Sequence, residues 1–250
     1  MLTEERFAKI LNIVNSEKSV TVQELTERLN ISESTVRRDL TTLAKKKLLM
    51  KVHGGATALE MEYTTKDVAL TSRMDQNTDE KKKIGKYAAN LIGDDEFIYL
   101  DAGSTVSWML DYLPVSGSVF VTNGIAHAQK LSRKGLTVYL LGGMLKPATE
   151  AVVGAQAAES LRRYHFTKGF FGANGVDVDF GYTTPDPVEA MIKEEAMKRC
   201  KEAYVLADST KLGHAAPVKF GEFHDASVIT TKVTDKVMKK EKNIIEVMKQ

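Results

Sequence analysis

Five short stretches of this chain run from an apolar, strand-like segment into small or polar residues. FIYL leads to Asp101, Gly103, Ser104 and Thr105; VFVT leads to Asn123 and Gly124; LTVYLL leads to Gly142 and Gly143. KGFFGA leads to Asn174 and Gly175, and YVLA to Asp208, Ser209, Thr210 and Lys211. Glycines let backbone N–H groups come close to a phosphate, and hydroxyls at a helix start add donors. Lys211 offers a compensating positive charge. One glycine-rich turn is a weak signal, because such turns are common. Five of one chemical character point to a single site for a phosphorylated small molecule.

Those loops need a scaffold that gathers them. The apolar runs, with SVITT following, alternate with helical stretches around VSWMLDYL, IAHAQKLS, AQAAESLRR and VEAMIKEEAMKRC. In KKKIGKYAANLI, Ile84, Tyr87, Ala88 and Leu91 fall at helical spacing. Alternation of this kind predicts an α/β domain with a mainly parallel sheet and helices on both faces. Ligands bind such sheets beyond the carboxyl ends of the strands.

The first sixty residues follow a different pattern. Phe7, Ile10, Leu11 and Val14 form one helical face, with Thr3 as its N-cap. Thr21 and Glu24 have capping-box spacing and open a second helix through Leu25 and Leu29. Asn30 and Ile31 make a turn, and Ser32 caps a third helix carrying Val36, Leu40 and Leu43 inward. Two short helices joined by a tight turn make a helix-turn-helix, whose second helix enters the major groove. Ser32, Ser34, Thr35, Arg37, Arg38 and Thr41 would meet DNA from that helix, as hydroxyls and guanidiniums suited to phosphate oxygens and guanine edges. LLMKV, HGG and ATAL read as a hairpin with Gly54 and Gly55 supplying positive φ, a wing that brings Lys51, His53 and Gly54 to the backbone.

Charge placement agrees. Residues 1–60 carry 10 Lys/Arg and 8 Asp/Glu, and residues 61–250 carry 25 of each. Between residues 34 and 53, six basic residues face Asp39 alone. A local basic patch on a neutral body is the electrostatic footprint of a nucleic-acid binder.

The stretch TVQELTERLNISESTVRRDLTTLAKKKLLMKVHGGAT resembles the N-terminal domain of the DeoR family of bacterial transcription regulators, most distinctively in ISESTVRRDL and HGGA. DAGST, VTNG, LLGG, GANGVD and LADSTKLG resemble the effector-sensing domain of the same family, which is similar in fold to ribose-5-phosphate isomerase. The resemblance implies a winged helix-turn-helix over 1–59, a linker over 60–74, and a sensing and oligomerisation domain over 75–250. It also implies a phosphorylated sugar as effector. The opening MLTEER and the wing KVHGGAT look most like regulators of fructose or related uptake operons, so fructose 1-phosphate is the leading candidate. Glu189 and Lys193 join the strand-end residues Asp101, Gly103, Ser104, Thr105, Asn123, Gly124, Gly142, Gly143, Asn174, Gly175 and Lys211 as the expected effector site.

The alternative is an isomerase-type enzyme with a DNA-binding head. Aldose–ketose isomerisation needs a base and acids. The isomerase's DGADE-like motif corresponds here to FGANGV: Phe171 replaces the first Asp, Asn174 the second and Gly175 the Glu. An asparagine binds a hydroxyl but takes no proton at neutral pH. One nearby carboxylate is not a proton-transfer network, so a sensor and no enzyme is expected. A DNA-binding architectural protein whose large domain only oligomerises is the remaining reading.

Other chemistry is weakly represented. Cys200 sits in the helical pattern EEAMKRC and reads as a packed thiol. His127, His165, His214 and His224 lack metal-ligand spacing, and Ser104 lacks a hydrolase elbow. The ten methionines and Trp108 read as core. No metal or cofactor is expected. The single cysteine, the absence of a roughly 20-residue apolar span and the acidic opening fit a cytoplasmic protein. The expected partners are double-stranded operator DNA, a phosphorylated sugar and further copies of the chain, as a dimer or tetramer.

Overall fold

The computed structural model describes residues 2–17, 19–46, 48–52, 54–57, 70–114, 116–235 and 237–247. The chain divides into two compact units, residues 1–62 and 63–250.

The smaller unit comprises α1 (Thr3–Glu17), β1 (Ser19–Thr21), α2 (Val22–Leu29), α3 (Glu33–Lys45), β2 (Met50–Val52) and β3 (Gly55–Thr57). Thr3 is the first helical residue of α1 rather than its cap. The capping box before α2 is complete: Glu24 N–H donates to Thr21 Oγ1 at 3.1 Å, and Thr21 N–H donates to Glu24 Oε2 at 2.8 Å. Asn30 ends α2 in the left-handed region at φ 50°, which asparagine tolerates better than most residues. Ile10, Val14, Leu25, Val36, Leu40 and Leu43 meet in one buried core.

The wing is a three-stranded antiparallel sheet in the order β1-β3-β2. The sequence pattern predicts only the hairpin, and β1 is added to it. Gly54 has φ +83° as expected. Gly55 has no positive φ; it is required because a Cβ there would collide with the Val20 carbonyl on β1. The return strand is described over Gly55–Thr57; Ala58, Leu59 and His53 lie outside the described residues.

The larger unit begins with α4 (Leu70–Met74), α5 (Thr78–Ala89), β4 (Phe97–Leu100), α6 (Ser104–Met109), β5 (Val119–Thr122), α7 (Ile125–Arg133) and β6 (Thr137–Leu140). A hairpin of β7 (Met144–Lys146) and β8 (Ala151–Val153) precedes α8 (Ala155–Leu161) and β9 (Phe166–Gly172). Then follow β10 (Gly175–Asp177), β11 (Gly181–Thr184), α9 (Pro187–Met197), β12 (Cys200–Leu206), β13 (Val218–Gly221), β14 (Ser227–Thr230) and β15 (Ile244–Glu246). All six predicted strands lie in one seven-stranded parallel sheet ordered β15-β14-β12-β9-β4-β5-β6. Its seventh strand, β15, and the small antiparallel sheet of β10, β11 and β13 were not anticipated.

The two faces of the sheet explain its near-continuous apolar strands. Ile98, Leu100, Phe170 and Leu206 enter one core with α5, α6 and α7. Tyr99, Phe171 and Val205 enter the other with α8 and α9. Neighbouring side chains on a strand point to opposite faces, so FIYL and FF each serve both cores.

Two expectations change. Cys200 opens β12 instead of continuing α9, because the helix stops at Met197. Its thiol still packs inward, donating to the Ala196 carbonyl at 3.2 Å, and burial pushes its pKa up to about 12. Met50, Met144 and Met191 are exposed, and Trp108 is half-buried under the Lys82 ammonium.

From β4 the sheet grows one way through β5 and β6, and from β9 the other way through β12, β14 and β15. The order therefore reverses between β4 and β9, and the crevice beyond that point is where doubly wound sheets take ligands.

Candidate functional site

In the smaller unit, α3 presents Ser34, Arg37 and Arg38 to solvent. Ser32 is spent as the cap: its hydroxyl accepts from the Thr35 N–H at 3.3 Å and lies 2.9 Å from both the Ser34 and Thr35 hydroxyls. The Thr41 hydroxyl donates to the Arg37 carbonyl at 2.7 Å and accepts from Lys51 Nζ at 2.8 Å. Thr41 thus ties the wing to α3. Arg37 is held 3.2 Å from Glu33, whereas Arg38 has no ion-pair partner among the described residues. Asp39, the lone acid of the basic stretch, is turned inward and forms a two-point ion pair with Arg6 of α1 at 2.5 and 3.2 Å. The outward face of α3 is left positive. With about 100° per residue, Arg38 lies with Ser34 and Lys45 opposite the buried Val36, Leu40 and Leu43, and Arg37 lies on the flank.

In the larger unit, a cavity opens at the β4/β9 switch point. Asp101, just past β4, is buried; its Oδ2 accepts from Lys193 Nζ at 2.5 Å and from the Gly172 N–H at 2.9 Å. Lys193, midway along α9, also donates to the Gly172 carbonyl at 3.0 Å. This buried ion pair clamps the ends of β4 and β9 together. Gly103 stands at the start of α6, where a Cβ would meet Asp101 Oδ2 at 3.2 Å and Gly172 Cα at 3.3 Å. Ser104 and Thr105 follow, buried on the cavity wall.

Glu189 lines the same cavity. Its Oε1 accepts from Thr149 Oγ1 at 2.6 Å and from Lys146 Nζ at 3.2 Å. Lys146 also pairs with Asp186, the N-cap of α9; burial works to raise the Asp186 pKa, but Lys146 and the Val188 N–H hold it below the usual value. Lys211 and Asp208 come from the loop after β12, with Asp208 accepting from Thr210 Oγ1 at 2.5 Å and Asn77 Nδ2 at 3.0 Å. Glu80 of α5 fixes that loop, accepting from the Ser209 N–H and hydroxyl at 2.8 and 2.9 Å.

Four of the five strand-end loops contribute to the cavity; the one after β6 does not. Gly142 and Gly143 lead into the β7–β8 hairpin, where Gly143 sits at φ +150° against the Val153 carbonyl. Gly124 packs on Ala102 and the His127 ring, and Gly175 lies beneath the His214 carbonyl; neither lines the cavity. Asn123 and Asn174 do, yet both are partly committed. Asn123 Oδ1 accepts from the Ala102 N–H at 3.1 Å and the Tyr99 hydroxyl at 3.2 Å, and Asn174 Oδ1 accepts from Thr184 at 3.2 Å.

Sequence reasoning missed Arg73, Gln76, Lys81 and Thr149 as lining residues. Lys81 was findable, since 81, 84 and 88 share a helical stripe and place a lysine among buried residues. Burial lowers its pKa, opposed by Asp208 and aided by Lys211 and Arg73; its Nζ donates to the Arg73 carbonyl. Three carboxylates line the cavity: Asp101 and Glu189, both expected there, and Asp208 from the strand-end loop after β12. Below it lies His127, fully buried, with both ring nitrogens unpartnered among the described residues. Burial pushes the imidazole down to about 4, opposed by Asp101.

Comparison with known proteins follows this division. Residues 6–62 match the DeoR-like helix-turn-helix domain, and residues 76–235 match the DeoR C terminal sensor domain. The chain belongs to the DeoR family. It is a DNA-binding transcription regulator of the helix-turn-helix type. This DeoR-family chain is 40% identical over 252 residues to the uncharacterized HTH-type transcriptional regulator FruR of Bacillus subtilis, covering 100% of both. It is 34% identical to the lactose phosphotransferase system repressor of Staphylococcus epidermidis, over 95% of both chains. It is 31% identical to the B. subtilis transcriptional repressor GlcR, over 92% of this chain and 89% of that one. Among solved structures, ribose 5-phosphate isomerase A of Methanocaldococcus jannaschii overlaps 55% of each chain with a TM-score of 0.41 and 18% identity. The delta subunit of eIF2B from Chaetomium thermophilum overlaps 56% of this chain and 50% of its own with a TM-score of 0.43 and 15% identity. No helix among the described residues is long and apolar enough to cross a membrane.

Proposed function

We propose that this regulator is a cytoplasmic repressor of a sugar uptake or catabolic operon, and that a phosphorylated sugar in the switch-point cavity modulates its grip on operator DNA. The observation that carries this reading is the polarity of the cavity. Lys81 and Lys211 line it together with Ser104 and Thr105, a donor set for a phosphate. In the same lining Asp101 and Glu189 are paired with Lys193 and Lys146, and together with Asn174 they offer acceptors for sugar hydroxyls. The repressor names of the staphylococcal and GlcR relatives support the regulatory half. Fructose 1-phosphate is the leading effector, on the likeness of MLTEER and KVHGGAT to fructose-type regulators.

One reading head buries little DNA surface, so useful affinity requires at least a dimer on repeated half-sites. The effector changes DNA affinity only if it binds one arrangement of the reading heads more tightly than the other. The test is fluorescence anisotropy of the full chain on DNA from upstream of its own operon, titrated with a panel of sugar phosphates at near-physiological salt. One sugar phosphate that shifts the DNA affinity supports the reading. DNA binding that no sugar phosphate alters refutes it.

A second reading, an isomerase acting on the same ligand, has the three cavity carboxylates in its favour. It requires solvent deuterium to enter the phosphosugar and the exchange to vanish in Glu189→Gln. A chain that binds the sugar without exchange is a sensor only.

A further inference from the structure

Arg73 lies on the five-residue helix α4 and lines the cavity. Its Nε is buried and makes no hydrogen bond among the described residues. A guanidinium cannot shed its charge to relieve such a position. Arg73, Lys81 and Lys211 line the cavity together, and the charges of Arg73 and Lys211 both act on Lys81. A wall carrying three cationic side chains suits a phosphate monoester.

α4 is a single short turn of helix that packs on α6. Its apolar residues Leu70 and Met74 join neither buried core of the sheet. The segment is pinned by main-chain and flanking bonds: the Leu70 N–H donates to the Ala148 carbonyl at 3.0 Å, Lys81 Nζ donates to the Arg73 carbonyl, and Asn77 Nδ2 reaches Asp208 at 3.0 Å. None of these bonds uses the guanidinium. The cavity has a volume of about 50 Å³, well below the roughly 300 Å³ at which small-molecule sites begin. Seating a sugar phosphate therefore displaces part of the wall. The strand ends are clamped by Lys193 and Asp101, which leaves α4 as the wall that gives.

We propose that Arg73 is the trigger contact of the sensor: the anionic group of the effector pairs with its guanidinium and resets the position of α4. α4 is the first described element after residues 58–69, the stretch that joins it to the reading unit. The signal leaves the pocket along that covalent path. This rests on the phosphosugar reading above, and it adds which residue converts occupancy into a change at DNA.

The experiment compares the full-length wild type with Arg73→Gln. Binding of fructose 1-phosphate, fructose 6-phosphate and inorganic phosphate is measured by calorimetry. Operator affinity is then measured with the sugar absent and at saturation. The operator affinity of the ligand-free variant is the baseline against which its own shift is read. Its affinity for the phosphosugar should fall at least tenfold, and saturating sugar should no longer shift its operator affinity. A variant that still shows the full wild-type shift at saturation overturns the proposal, whether or not its sugar affinity has dropped. A wild type that binds none of the probes overturns the phosphosugar reading itself and this inference with it. As a check independent of variant folding, cleavage of the wild type by a glutamate-specific protease at Glu60 and Glu62 should change at least threefold with bound sugar. An unchanged rate contradicts a reset of α4.

Discussion

The outward face of α3 and the switch-point cavity use the same residue types in opposite ways. On α3 the hydroxyls and guanidiniums face water, and their partners are close neighbours: Ser32 with Thr35, Arg37 with Glu33. In the cavity each carboxylate is matched by a partner far away in sequence, Lys193 to Asp101 across 92 positions and Asn77 to Asp208 across 131. A surface that exchanges water for DNA phosphates gains from loosely held charge, since its affinity comes largely from counterion release. A pocket must hold its polar groups in place before the ligand arrives, because buried charge without a partner is expensive. The first site is therefore built by one helix, and the second by the whole sheet.

The sharpest way to break this contrast is Lys193→Met. It leaves Asp101 buried without its cation, and removing one partner of a buried pair costs about 3–5 kcal/mol. Urea unfolding should show that loss in the larger unit, with the smaller unit's transition unmoved. A loss under 1 kcal/mol would mean that water reaches Asp101 and that the clamp at the switch point is weak.

His127 tests the same burial through pH. Its native pKa, about 4, lies below the value near 6.5 of the unfolded chain, so the unfolded state takes up the proton first. Its contribution to stability is present above pH 6.5 and is lost as pH falls toward 4, on the order of 3 kcal/mol in all. Because neither ring nitrogen has a hydrogen-bond partner among the described residues, His127→Phe should be neutral or stabilising at pH 7.5. It should also flatten the acid decline between pH 6.5 and 4 in chemical denaturation curves. An unchanged decline assigns it to other groups.

On α3, Arg38→Ala should cost about 1–3 kcal/mol and relax base preference at one operator position, whereas Arg37→Ala should mainly reduce the salt slope by about one. Binding measured on operator variants at several salt concentrations separates the two. Equal, sequence-independent losses would remove Arg38 from base reading. The smallest effect belongs to Ser32→Ala, where loss of the cap should destabilise the reading unit by roughly 1 kcal/mol in a thermal melt.

What could be read in advance follows the same division. The capping box, the Asn30 turn and the Ser32 cap are encoded within four residues of where they act, and all three are present. β1 is three residues long and pairs Ser19 with Thr57, so no local pattern marks it. The role of Gly55 was misassigned for that reason: its crowding comes from Val20, on a strand the pattern does not disclose. In the larger unit, apolar runs announced six strands, and alternation announced a parallel sheet. Which loops meet depends on strand order, and that placed Gly142 and Gly143 away from the cavity. Arg73 was hidden because α4 is too short to show periodicity.

The reversal of strand order between β4 and β9 also sets a schedule. The floor of the cavity joins Asp101 to Gly172, 71 residues apart, while the reading unit is complete by residue 62. At about 5–20 residues per second, the remaining residues 63–250 take roughly 10–40 s to synthesise. Arrested nascent chains ending near residue 150 should resist protease in the reading unit and show no phosphosugar protection. Under the proposed function, each newly made molecule thus passes through an interval in which its helix-turn-helix unit is complete and its effector cavity is not.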